Sequence, residues 1–348
     1  MDYGAIAELP VTIESHELTL NERETSSGFE RVTTTVTLRG EDAVGRGEDV
    51  TYDTEDHRAL AASTPLMFAG EYTIDSFSAA VGEMSLFPSG PQRPPSRRYR
   101  RWAVESAALD LALKQTGRSL AEVLDRSFDP VSYVVSTRLG EPPTTDRLDA
   151  IREAYPDAAF KLDPTVEWSP ALIKSVAERD VVRILDLKGQ YAHADVHQPA
   201  NRSLYERLFA AFPDAIIEDP AVTEETRPLL TDQADRLAWD VPVTDVESLG
   251  TVPFEPNWIN VKPSRIGTIA DLCAVVSHCE EHGIGMYGGG QFELDVGRPQ
   301  IQALASLCYP DAPNDVAPKG FNDPEVGSDL PTSPLDPPGD QPGFGRSE

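Results

Sequence analysis

From residue 131 to about residue 309 the chain repeats one unit, a short apolar run followed by an amphipathic stretch. The apolar runs fall at residues 131–136, 159–163, 182–188, 215–219, 236–240, 258–262 and 283–287. Between them, residues 169–179, 203–212 and 269–282 carry helical periodicity. Strand–helix repetition of this length implies a parallel sheet, and seven or eight such units imply a closed barrel. A barrel gathers the C-terminal ends of its strands around one mouth, and side chains two apart on a strand share a face. Lys161 and Asp163 are therefore expected to point the same way, as are Asp186 and Lys188. Glu218, Asp240 and Lys262 end the next three strands.

Three carboxylates from three adjacent strands, Asp186, Glu218 and Asp240, would meet in one small volume. Anions held that close repel unless a cation joins them, and hard oxygen donors suit Mg²⁺, with Mn²⁺ as the alternative. The chain has only six lysines, at positions 114, 161, 174, 188, 262 and 319. Three of them, Lys161, Lys188 and Lys262, are expected at this mouth.

The first hundred residues read as antiparallel β followed by helix. Residues 29–39 alternate as a strand would, Gly45-Arg46-Gly47-Glu48 reads as a turn, and residues 57–68 as a short helix. Residues 101–124 are helical with Gly117 as a break. Residues 311–348 are rich in Pro, Gly and Asp and hold eight acidic and two basic residues. They are expected to be mobile or draped over the surface toward their end.

The net charge of −28 argues against a nucleic-acid partner. No run of 18 apolar residues is present, so a membrane partner is not expected either. The N-terminus lacks a basic stretch followed by an apolar one, so no secretory signal is expected. Cys273, Cys279 and Cys308 form no CxxC pair and read as reduced thiols of a cytoplasmic protein. Abundant Asp and Glu with scarce Lys suit a halophilic protein, because dissolved salt screens the self-repulsion of an acidic surface.

The ordered set of motifs resembles the enolase superfamily, nearest its muconate-lactonizing and o-succinylbenzoate synthase branch, over roughly residues 10–310. Gly45-Arg46-Gly47-Glu48 is similar to that family's Gly-x-Gly-Glu, and Trp102-Ala103-Val104-Glu105 through Leu113 to its helix leading into the barrel. Ile217-Glu218-Asp219-Pro220, the segment Asn260-Val261-Lys262-Pro263-Ser264-Arg265-Ile266-Gly267, and Glu293 through Gly297 resemble its later motifs. The resemblance implies a modified TIM-type (β/α)7β barrel with an N-terminal α+β capping domain. The cap would be residues 1–100, the barrel 101–318, and 319–348 an acidic Pro/Gly-rich tail.

The resemblance further implies metal ligands at Asp186, Glu218 and Asp240, and an acid/base at Lys262. Asp240 is preferred to Asp245 because it lies 22 residues from both Glu218 and Lys262, leaving Thr244 and Glu247 as a capping box. Lys161, Lys188 and Asp163 complete the candidate catalytic set, and Glu293 is a candidate substrate contact or a partner that orients Lys262. The implied activity is Mg²⁺-dependent removal of a proton α to a carboxylate, as in a lyase, cycloisomerase or epimerase, through a metal-stabilised enolate. The partner is then a small-molecule carboxylate, and the protein a homo-oligomer. Substrate choice would rest with residues 20–29 and 52–57.

Two positions depart from the family pattern. Where the second strand usually carries Lys-x-Lys, this chain has Lys161-Leu162-Asp163, and where the third carries Asp-x-Asn it has Asp186-Leu187-Lys188. The departures are opposite in sign and on neighbouring strands, so an Asp163–Lys188 pair within about 4 Å is expected. Charge compensation alone predicts that Lys188→Ala weakens metal binding. The alternative function is a catalytically altered barrel that binds a small acid or metal without enolising it. His193 and His197 read as surface residues, and His278 and His282 as caps of a helix end.

Overall fold

The computed structural model describes residues 1–63, 66–191 and 196–345. Seven parallel strands form one sheet in sequence order: β6 (Val135–Thr137), β7 (Phe160–Leu162), β8 (Val182–Asp186), β9 (Ile216–Glu218), β10 (Leu237–Trp239), β11 (Trp258–Val261) and β12 (Gly285–Gly288). Asn314 and Asp315 span the gap between the two edges through isolated parallel bridges, Asn314 to Tyr133 and Asp315 to Gly289. Val134 N donates to Asn314 O, and Asp315 N to Gly288 O, each at 2.8 Å.

Alternation along the strands builds the interior in layers. Val134, Ile184, Ile216, Ala238 and Tyr287 form a buried cluster of their own, separate from the main core. Ile184, Ile216 and Ala238 each lie two residues before a candidate ligand, so they form the floor beneath Asp186, Glu218 and Asp240. The faces turned the other way, with Leu185, Ile217 and Trp239, join the main core with the surrounding helices.

Before the barrel, β2 (Ser15–Glu24), β3 (Glu30–Arg39) and β4 (Val44–Asp49) make an antiparallel meander, and β1 (Pro10–Ile13) pairs with β5 (Gly70–Thr73). The Gly45–Glu48 segment is therefore strand, not the expected turn. Its glycines answer to the long helix Ser96–Thr116, which lies against β4. A Cβ on Gly47 would run into the Ala103 carbonyl and Ser106 Oγ, and one on Gly45 into the Ala107 carbonyl. The helix ends at Gly117, whose φ of 66° is a left-handed cap.

The meander grips the loop that follows β12. Glu48 accepts from the backbone N–H groups of Leu294 at 2.6 Å, Asp295 at 3.0 Å and Gly297 at 2.8 Å. Arg31 donates to Gln291 O at 3.1 Å, and Thr35 Oγ1 to Asp295 Oδ2 at 2.6 Å. The acidic tail drapes back over the molecule, anchored by the buried Phe321, Leu335 and Phe344. Val131 and Leu335 exchange backbone hydrogen bonds at 2.8 and 3.0 Å. Burying each such side chain contributes about 1.5–3 kcal/mol, enough to hold a polar segment in place. Among the described residues no helix is long and apolar enough to cross a membrane.

Candidate active site

Lys161, Asp186, Glu218, Asp240 and Lys262 are all buried at the C-terminal ends of successive strands. Asp186 and Glu218 are register partners. Lys161 Nζ stands among the carboxylates, 2.6 Å from Glu218 Oε1 and 3.3 Å from both Asp186 Oδ2 and Asp315 Oδ2. On the other side Lys262 Nζ lies 3.0 Å from Asp240 Oδ2. That same oxygen accepts the Tyr191 hydroxyl at 2.8 Å and is 3.4 Å from Arg265. Asp240 Oδ1 is buried and has no hydrogen-bond partner. Glu218 also accepts from the Tyr287 hydroxyl and, at 3.4 Å, from Asn260 Nδ2.

The charges are unevenly settled. Burial pushes Glu218 up to about 8, and Asp186 adds to the push. Burial, then Asp240, raises Asp219 to about 7. Burial would raise Asp186 as well, but Lys188 and Lys161 hold it well below the usual carboxylate range. Arg265 and Lys262 do the same for Asp240 against its burial.

The two departures from the family pattern sit together. Lys188 Nζ is 3.7 Å from Asp163 Oδ1, and it also contacts Asp186 Oδ2 directly. Asp163 Oδ2 is held by Arg138 Nε at 3.2 Å. Glu293 is directed elsewhere. It accepts from Gln291 N at 2.6 Å and pairs with Arg298 at 3.0 Å, so the structure joins it to Arg298 rather than to Lys262.

Asp245 caps the short helix Val246–Leu249, accepting from Ser248 N at 2.7 Å. The capping box therefore starts at Asp245 with Ser248 as its partner, not at Thr244 with Glu247. His193 lies outside the described residues. His282 Nδ1 lies 2.8 Å from the His278 carbonyl near the end of the helix Ile269–His282.

Sequence reasoning missed Tyr191, Asp219, Arg265, Tyr287 and Asp315. Asp219 accepts from the backbone N–H groups of Asp240 and Val241, each at 3.0 Å, and so fixes the turn that presents Asp240. Its place beside Glu218 in Ile217-Glu218-Asp219-Pro220 is the signal. Arg265 carries a like signal, three residues after Lys262 in the segment Asn260–Gly267.

The N-terminal domain of a family described as a domain of unknown function (DUF8230) matches residues 4–123, and its C-terminal domain matches residues 127–323. The chain belongs to this DUF8230 family. Among curated proteins, this family member is 26% identical to the o-succinylbenzoate synthase of Bacillus subtilis over 66% of its own length and 62% of that protein's. It is 27% identical to an N-succinylamino acid racemase of Amycolatopsis over 63% of its length and 60% of that protein's. The chain thus spans less than two thirds of the length of these relatives.

Among solved structures, an enolase-superfamily member from Listeria innocua superposes with a TM-score of 0.66 at 18% identity, covering 97% of this chain and 95% of that one. The dipeptide epimerase of Methylococcus capsulatus, solved with a Mg ion, gives 0.72 at 19% identity over 96% and 99%. The fold is that of the enolase superfamily, a barrel with an N-terminal capping domain, and the relatives include a synthase, a racemase and an epimerase.

Among the described residues no three carboxylates close on one point within reach of a single metal. Ammonium groups stand between them. Yet the donors are three buried carboxylates, one oxygen of Asp240 has no partner, and Glu218 is raised by its carboxylate neighbour as well as by burial. That chemistry fits a hard divalent cation once the Lys188 ammonium leaves Asp186.

Proposed function

We propose that this chain is a Mg²⁺-dependent enzyme that removes a proton α to a carboxylate, with Asp186, Glu218 and Asp240 as the residues that would hold the ion. The observation that carries this reading is the placement of three wholly buried carboxylates on adjacent strand ends, flanked by Lys161 on one side and Lys262 on the other. When bound, the ion supplies positive charge opposite the substrate carboxylate, which acidifies the neighbouring C–H.

The rest falls to side chains. Lys262 Nζ, in its neutral amine form, accepts the α-proton and returns it from the ammonium so formed. Lys161 adds fixed positive charge near the developing oxyanion, where a preorganised ammonium needs no solvent reorganisation. Tyr191 and Arg265 hold Asp240 in place from behind. The grip of Glu48 on the backbone of residues 294–297 fixes the loop that follows β12.

The test is hydrogen exchange in D₂O followed by NMR, with N-succinylamino acids and dipeptides as probes, chosen from the names of the relatives. Loss of the α-proton signal in the presence of MgCl₂, and its retention with excess chelator, is the expected result. Retention under both conditions for every probe that binds favours the alternative, a barrel that binds a small acid without enolising it. The contact of Lys188 with Asp186 and the presence of Asp163 in place of a lysine support that alternative.

The charge balance supports a further part of the proposal, a working environment of high salt. With 58 acidic and 30 basic residues, the surface repels itself at low ionic strength. The unfolding temperature is expected to rise steadily from low salt to molar KCl. A flat response over that range counts against the adaptation.

A further inference from the structure

Lys188 lies in the left-handed region, with φ of 51°, which non-glycine residues seldom adopt. That backbone turn brings the residue back onto the strand it has just left. Its N–H donates to Asp186 Oδ1 at 3.2 Å, and its ammonium contacts Asp186 Oδ2. Both oxygens of a proposed metal ligand are thus taken by one residue. A second acceptor waits 3.7 Å from the same ammonium. Asp163 Oδ1 is buried and receives no hydrogen bond, while Asp163 Oδ2 is fixed by Arg138. The Tyr191 ring, 5.1 Å from Lys188 Nζ, offers its face to the cation.

We propose that Lys188 is a tethered competitor for the metal site, whose ammonium covers Asp186 when no metal is bound and transfers to Asp163 when a divalent cation takes its place. The inference rests on the reading of Asp186, Glu218 and Asp240 as metal ligands. It explains why both departures from the family pattern occur together. An ammonium that must leave Asp186 needs a near acceptor, and a carboxylate at position 163 provides one where a lysine would repel it. The affinity for metal is then set by a difference between two ion pairs rather than by the three ligands alone. This reverses the direction expected from charge compensation, because removing the Lys188 ammonium takes the nearest cation off Asp186 Oδ2, leaving Lys161 at 3.3 Å and the backbone N–H on Oδ1, as well as leaving Asp163 alone.

The experiment is isothermal titration of the metal-free full chain with MgCl₂ at fixed salt, with melting temperatures recorded to show that each variant folds. Lys188→Met is expected to bind Mg²⁺ about 10–100-fold more tightly than the unsubstituted chain, the range over which residues supporting metal ligands act. Asp163→Asn is expected to bind more weakly, since the displaced ammonium loses its acceptor. The double variant Lys188→Met, Asp163→Asn should lie near Lys188→Met, because Asp163 acts through Lys188. Should Lys188→Met fold poorly, Lys188→Gln reads the same quantity.

Binding by the unsubstituted chain that Lys188→Met leaves unchanged or weakens overturns the competitor role while leaving the ligand reading intact. Asp240→Asn separates the two questions, since it should abolish binding in the Lys188→Met background. Binding that survives Asp240→Asn, or no binding by any variant, overturns the ligand reading and the competitor with it.

Discussion

Replacing Lys262 by methionine is expected to slow α-proton exchange by about 10²–10⁴-fold, the range a positioned general acid/base supplies. Methionine keeps most of the buried stem and removes only the ammonium. Asp240, which loses that ammonium at 3.0 Å, retains the Tyr191 hydroxyl at 2.8 Å and Arg265 at 3.4 Å. No buried carboxylate is left bare, so the melting temperature should move little and Mg²⁺ affinity should persist. This separates proton transfer from folding and from metal binding in one variant. Lys161→Met is a poorer probe, because Lys161 pairs with Glu218, Asp186 and Asp315 together and its loss leaves buried charge uncompensated. Exchange by Lys262→Met at the unsubstituted rate, on a probe that binds, removes Lys262 from the chemistry.

The barrel was legible in the sequence from its strand–helix repeat, and the positions of its charged strand ends from the two-residue period of a strand. Asp186, Glu218, Asp240 and Lys262 stand where a strand must point them. Lys188 shows where that rule stops. Alternation puts it on the face of Asp186 only if β8 continues; it does approach Asp163, but the strand ends at Asp186 and Lys188 turns left-handed. Its contact with Asp186 depends on that backbone turn, which no side-chain period encodes. Gly45 and Gly47 misled for a related reason. Glycine pairs read locally as turns, whereas here their small size answers to a helix more than fifty residues later in the chain. Tyr191 and Asp315 reach the site from segments outside the seven strands, so only tertiary structure brings them in. The tail was legible as polar, but its hold depends on single apolar side chains such as Phe344, whose ring meets Trp102 edge-on.

Asp49→Ala is expected to destabilise the protein by about 3–5 kcal/mol at neutral pH, as breaking a buried ion pair does. Asp49 and Arg100 are both buried, with Arg100 Nε 2.7 Å from Asp49 Oδ2. Arg100 is fixed by further bonds to Leu86 O at 2.9 Å and Asp56 O at 3.0 Å, so it has no route to solvent when its partner is removed. Asp49→Asn keeps an acceptor for the Thr51 hydroxyl and should cost less, which distinguishes lost charge from lost shape.

The pH dependence has a definite sign. Burial alone would raise Asp49, but Arg100, then His57, hold it below its ordinary value. A carboxylate with a depressed folded-state pKa stabilises fully above its unfolded pKa of about 4 and loses that contribution as pH falls through the folded value. The stability gap between the unsubstituted chain and Asp49→Asn should therefore be widest near neutrality and close in acid. A gap that stays constant from pH 7 to pH 3, measured by urea unfolding, rejects the ion pair as its source. The consequence reaches the barrel mouth. Asp49 follows Glu48 in the same strand, and Glu48 holds the backbone of residues 294–297. Loosening the Asp49–Arg100 anchor should release that grip, so Asp49→Asn is expected to slow proton exchange even at temperatures where it remains folded.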